Sequence, residues 1–155
     1  MKKINFKSLA VFTAISLGTG ILAAILSRSG MDFYETVKKP ALAPPGWLFP
    51  VVWTILYILM GVSAYLVYET SCRDRRLSLG VWGAQLAVNF IWTLVFFNAR
   101  AFLIAFILIV VLWILIACML ALFHRCRPAA AYLQIPYFLW VTFAAYLNFA
   151  IYSLN

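Results

Sequence analysis

The chain has 155 residues, of which 66% are hydrophobic and only 10% charged, against roughly 25% charged in an ordinary water-soluble domain. That supply of charge cannot cover a soluble surface, so a soluble globular domain is excluded and a membrane-embedded one is implied. The net charge of +8 does not point to nucleic acid, because the cations stand in small groups between long apolar runs rather than along one face.

Uncharged runs lie at about 8–27, 40–68, 77–99, 101–123 and 128–155, each long enough for the about 20 residues that one bilayer crossing needs. Hydrocarbon offers no partner to a bare peptide group, so each run must close its backbone hydrogen bonds internally, as a helix. The pattern predicts an all-α membrane protein, a five-transmembrane-helix bundle forming one domain over 1–155, with helices at about 6–27, 47–68, 78–98, 101–123 and 130–153.

In the first span Ser16, Gly20 and Ala24 recur every fourth residue, a spacing that lets helix backbones approach closely. Lys2 and Lys3 precede it as they would a secretory leader. Its apolar part, however, continues to about Leu26, beyond the roughly 7 to 15 residues of a leader's core, so it is read as a retained helix. The connection 28–46 ends in Pro40, Pro44 and Pro45, which cannot continue a helix. It is expected to form a shaped lid over one end of the bundle.

The second span places Trp53, Tyr57, Met60 and Ala64 on one face, while Trp47 and Tyr68 near its ends suit the membrane interface. The third aligns Gln85, Asn89, Trp92 and Phe96, and also carries Gly80 with Ala84 and Gly83 with Ala87, small-residue pairs that suit internal packing or a homodimer. In the fifth, Tyr137, Trp140, Ala144 and Asn148 share a face that begins one residue after Pro136. Three faces combining flat rings with amides can surround a flat, mostly apolar ligand. The same groups also serve as interhelical packing, Gln85, Asn89 and Asn148 contributing about 0.6 to 2 kcal/mol each in that role. Spacing alone leaves both uses open.

The near absence of ionisable groups from the spans argues against an ion pump or proton-coupled transporter. His124 sits in a loop beside Arg125 and Arg127, where a topological role is expected and a metal site is not. Cys72 and Cys126 lie among arginines, Cys118 lies within an apolar run, and no CxxC or Cys/His spacing occurs. Neither a disulfide framework nor a zinc site is expected. Eight of the twelve Lys and Arg fall on the side of Lys2, Lys3 and Lys7. The positive-inside rule puts that side in the cytoplasm and Asn155 outside, as in a bacterial inner membrane.

The run KKPALAPPGWLFPVVWTILY, Lys38 to Tyr57, resembles the signature of the TspO/MBR family, the translocator proteins also called peripheral-type benzodiazepine receptors. QLAVNFIWTLVFF, Gln85 to Phe97, and PYFLWVTFAAYLNFAIYSLN, Pro136 to Asn155, resemble the family at the corresponding helices, so the likeness spans essentially the whole chain. The resemblance implies a membrane receptor or carrier for tetrapyrroles such as protoporphyrin IX, able to take benzodiazepine-type ligands, with its pocket between the helices under the first loop. It assigns ligand contact to Tyr34, Pro44, Pro45, Trp53, Tyr57, Asn89, Trp92, Trp140, Ala144 and Asn148, to which the aromatic face of the last helix adds Tyr137. Lys38 or Lys39 would reach porphyrin propionates at the rim.

Two departures stand out. Leu42 occupies a position where the family commonly has tryptophan, and no basic residue follows Tyr146 or Tyr152, so the sterol-recognition pattern of animal members is missing. Metal-free porphyrin is expected as a ligand rather than an obligatory cofactor, because no span contains His; Met60 and Cys118 are assigned to packing. Two alternatives accompany this reading. One is a light- or oxygen-dependent porphyrin-degrading enzyme, with the oxidisable indoles of Trp53 and Trp140 as candidate catalytic groups. The other is a stress-regulatory scaffold that presents the 28–46 loop to a partner.

Overall fold

The structure of the chain, a computed structural model, describes residues 3–155, so Lys2 lies outside the described residues. Among these it forms seven helices: α1 (Phe6–Leu26), α2 (Arg28–Thr36), α3 (Leu48–Tyr68), α4 (Arg75–Phe97), α5 (Phe102–Cys126), α6 (Pro128–Tyr132) and α7 (Ile135–Leu154). Five spans, with α6 and α7 together making the last, are long and apolar enough to cross a bilayer. The protein is an all-α integral membrane protein. Its large exposed hydrophobics, among them Ile21, Ile55, Ile107 and Leu139, face outward, as they must where the solvent is lipid.

The spans run alternately up and down. The α3–α4 turn and the α5–α6 junction therefore lie at the end where α1 starts; α2, the α4–α5 turn and Asn155 lie at the other. Several bonds fix this arrangement. The Asn5 side chain caps α1 at Ser8 N, and its own N–H donates to Tyr65 Oη at 3.1 Å. At the opposite end Asn98 Nδ2 donates to Leu26 O at 2.8 Å. Hydroxyls inside the spans return to their own helix, Thr19 to Ile15 O and Thr54 to Pro50 O, which satisfies those donors within hydrocarbon.

Close helix contact occurs where glycine removes a side chain. A Cβ on Gly61 would lie 2.5 Å from Thr13 Cα, so α1 and α3 cross there backbone to backbone. A Cβ on Gly30 would strike the carbonyl of Phe97, which marks where α2 presses on the end of α4. Gly80 and Gly83 meet nothing.

Four features depart from the sequence reading. The simplest is that α5 runs on to Cys126, so His124, expected in a loop, lies in its last turn. The 28–46 connection contains a helix, α2, whose Gly30 and Tyr34 are buried along with the following Val37, while Arg28, Asp32, Glu35 and Thr36 are exposed. Reading charge as loop hid a short amphipathic helix. The last span is broken, with α6 and α7 separated by a turn at Leu133 and Gln134. Pro136 explains the break, because it has no N–H for a bond to the residue-132 carbonyl and its ring crowds that group. Finally, Cys72 and Cys126, 54 residues apart, are joined in a disulfide, contrary to the expectation of none. Local spacing was silent because the bond is made by topology. Cys72 precedes α4 and Cys126 ends α5, and as an antiparallel pair of 23 and 25 residues these helices bring both cysteines to the same end.

Candidate ligand-binding site

Aromatic rings from three spans converge beneath α2. Trp53 of α3 lies at their meeting point, its ring centroid 5.7 Å from Tyr57, 6.2 Å from Trp92 of α4 and 6.2 Å from Tyr137 of α7. Offset and edge contacts at these separations are favourable. The register of α3, α4 and α7 brings them about, since each ring sits on the inward face predicted from fourfold spacing.

Below the rings runs a buried polar lattice. Tyr137 Oη donates to Gln85 Oε1 at 2.6 Å and accepts from Asn89 Nδ2 at 3.3 Å. Gln85 Nε2 approaches Met60 Sδ at 3.7 Å, and Trp82 Nε1 donates to Met60 O at 3.2 Å. Nearer the lid, Trp92 Nε1 donates to Asn148 Oδ1 at 3.0 Å, and Asn148 Nδ2 donates to Phe102 O at 3.1 Å. These bonds fix the rotamers of the aromatic wall. Asn89 Oδ1 and Trp140 Nε1 are buried without a hydrogen-bond partner, an acceptor and a donor left unspent where an unmade bond costs about 1–3 kcal/mol.

The space enclosed is divided. A cavity of about 110 Å³ lies among α1, α2, α3 and α4, walled by Gly20, Ala23, Met31, Trp53, Tyr57 and Trp92. A smaller one of about 20 Å³ is walled by Tyr34, Ala144 and Asn148 among others. Phe49, Trp92 and Phe97 line both and form the partition. Phe49 is held edge-on between Tyr34, at 5.2 Å, and Trp140, at 5.8 Å.

The lid is tied down by polar contacts. Tyr34 Oη donates to Pro44 O at 3.4 Å, Lys39 Nζ donates to Tyr34 O at 2.9 Å, and the same ammonium lies 4.5 Å from the Tyr34 ring centroid and 3.6 Å from Glu35 Oε2. Burial, with the Glu35 carboxylate adding to it, pushes the Tyr34 phenol up to about 12. Asn155 clasps the strand after α2, accepting from Lys38 N at 3.2 Å and donating to Lys38 O at 3.0 Å. In the α4–α5 turn Arg100 adopts φ 53° and lays its guanidinium 4.1 Å from the Phe33 ring.

Of the residues singled out from sequence, Trp53, Tyr57 and Trp92 wall the larger cavity, and Tyr34, Trp92, Ala144 and Asn148 the smaller. Asn89 and Tyr137 form the lattice beneath. Pro44 contributes a carbonyl to Tyr34, and Pro45 accepts from Leu48 N at 3.1 Å to shape the entry to α3. Trp140 packs on Phe49 and Phe143 and lines neither cavity. Phe49, Met31 and the α1 wall of Gly20 and Ala23 were missed. Gly20 did carry a signal in its fourfold spacing, which was assigned to helix packing; the Tyr57 ring in fact lies against it.

A membrane bundle with an aromatic hollow between its spans, under a helical lid, defines the class of protein. The TspO/MBR family model matches residues 11–154, and the chain belongs to that family. It is 37% identical over 151 residues to the tryptophan-rich protein TspO of Chlorobaculum tepidum, covering 96% of each chain. It is 36% identical over 148 residues to protein CrtK of Rhodobacter capsulatus, covering 94% of this chain and 91% of that one. Against the translocator protein of Ovis aries the identity is 31% over 148 residues, covering 93% and 88%.

Proposed function

We propose that this protein binds a flat, largely apolar tetrapyrrole such as protoporphyrin IX as a receptor or carrier, and accepts benzodiazepine-type ligands in the same hollow. The convergence of Trp53, Tyr57, Trp92 and Tyr137 on one space carries this reading. Lys39, bonded at the lid to Tyr34 O, stands where a carboxylate can reach it. The hollow, partly open and about 110 Å³ in volume, is smaller than the roughly 300–1,000 Å³ of sites for ligands of this size. Binding therefore proceeds with displacement of Phe49 and α2, which merges the two hollows.

Titration of the purified protein with protoporphyrin IX should quench tryptophan fluorescence saturably, and Trp53→Phe with Trp140→Phe should weaken binding. Unchanged affinity in that double variant defeats the proposal. A second reading, light-dependent oxidation of the bound porphyrin by dioxygen, draws on the contact of Trp53 with Trp92 and Tyr57, rings able to share an electron hole. Decay of the Soret band under illumination that is unaltered by the same double variant removes Trp53 and Trp140 from any such chemistry.

The excess of Lys and Arg at the α1 start, the α3–α4 turn and the α5–α6 junction supports an orientation with that end in the cytoplasm of a bacterial cell. A homodimer through α4 is supported by Gly80 and Gly83, whose faces meet no atom of this chain.

A further inference from the structure

The Cys72–Cys126 disulfide lies at the strongly basic end of the bundle. Arg73, Arg75 and Arg76 follow Cys72, while His124, Arg125 and Arg127 flank Cys126. The cation excess that supports a cytoplasmic assignment for this end therefore sits on a bond that cytoplasmic thiols ordinarily keep reduced. Cytoplasmic disulfides, where they occur, are mostly transient and redox-sensing. We infer that Cys72 and Cys126 form a reversible redox modification site, exchanging between disulfide and dithiol with a cytoplasmic dithiol reductant. This rests on the orientation proposed above and is independent of what the aromatic hollow binds.

The geometry suits exchange. Both cysteines are half-buried, so their sulfurs are not sealed in the core, and their Cα atoms are 5.3 Å apart, within the ordinary range for a bridge. In the forward step a reductant thiolate attacks one sulfur, the S–S bond breaks, and the other cysteine leaves as a thiolate. The reductant's second thiol then resolves the mixed disulfide, so two electrons and two protons pass to the protein and the reductant becomes the disulfide. Neighbouring arginines favour the leaving thiolate; Arg125 is shared with Asp74 Oδ2 at 3.8 Å. The reduced form has a partner ready. Ser78 Oγ lies 3.7 Å from Cys126 Sγ while its own proton is engaged with Asp74 O at 2.8 Å, so a Cys126 thiol can donate to it. Reduction removes the covalent tie between the α3–α4 turn and the end of α5 and leaves the Arg125–Asp74 pair in place.

The test uses the full chain with Cys118→Ser, in cells quenched with acid. Free thiols are blocked with N-ethylmaleimide, disulfides are then reduced, and the released thiols are tagged with a polyethylene-glycol maleimide that shifts the band once per cysteine. The expected result is an unshifted band in unstressed cells, a several-fold rise of the doubly shifted band after diamide, and reversal when diamide is removed. A doubly shifted band that dominates in unstressed cells, or that never forms, overturns the inference. Side of exposure is read separately: a membrane-impermeant maleimide should label the reduced pair in inverted vesicles and not in right-side-out ones. Labelling from the outside overturns the cytoplasmic placement and the exchange together, whereas porphyrin titration leaves both readouts untouched.

Discussion

At the lid end, α2 and the segment after it are held by non-covalent contacts alone: Tyr34 to Pro44, the pair of bonds between Asn155 and Lys38, Lys39 above Tyr34 and Arg100 above Phe33. At the basic end, a covalent bridge joins the α3–α4 turn to α5, and Gln134 Nε2 ties α6 and α7 to α3 through Leu59 O at 3.0 Å and Ser63 Oγ at 2.6 Å. Weak bonds surround the hollow and strong ones close the far end. Under the proposed function, a bundle fastened in this way opens like a clasp at one end to admit the ligand, while the helices keep their register at the other.

That contrast can be broken most forcefully at the crossing between the two ends. Gly61→Leu drives a side chain into the backbone of Thr13, and overpacking of this kind costs up to about 3 kcal/mol. A clear fall in thermal unfolding temperature in detergent is expected, with Gly80→Ala, which meets open space, as the silent comparison. Tyr137→Phe strands Gln85 Oε1 and one Asn89 donor, at about 2 kcal/mol. It should lower stability without freeing the lid, and a normal unfolding midpoint would show that the lattice is not structural.

Asn155→Ala should do the reverse. It removes both bonds to Lys38, worth about 1 kcal/mol in such an exposed setting, so the Lys38 amide should exchange about fivefold faster while the unfolding midpoint stays put. The mildest effect concerns pH. Because burial holds the Tyr34 phenol up at about 12, the closed lid favours the neutral ring. Closure is at full strength below the ordinary tyrosine value of about 10, and is lost as pH climbs from there toward the raised value. Spin labels at Asp32→Cys and Leu103→Cys should move apart across that window, and Tyr34→Phe should abolish the change.

The membrane spans were legible in the sequence because absence of charge over twenty residues has few other meanings, and the inward faces were legible because helical periodicity places Trp53, Trp92 and Tyr137 without ambiguity. What the residues did not reveal depends on partners distant along the chain. The α2 helix is stabilised by the end of α4 against Gly30, and charge counting sees only its outer face. The disulfide needs the nearly equal lengths of α4 and α5. Phe49 looked like one more apolar residue at a helix start; its role comes from Tyr34, ten or more residues before it in an unread helix, and Trp140, far beyond it.

Phe49 has a consequence for kinetics. Its ring is a shutter between two small hollows, braced on one side by the lid and on the other by the last span. When α2 lifts, Tyr34 leaves and one brace goes with it, so the Phe49 ring can turn about a single side-chain bond and open its part of the wall it shares with Trp92 and Phe97. Side-chain rotation is fast compared with helix displacement. Residence time of a guest should thus be set by how often the lid lifts, and its depth of entry by which way one benzyl group points.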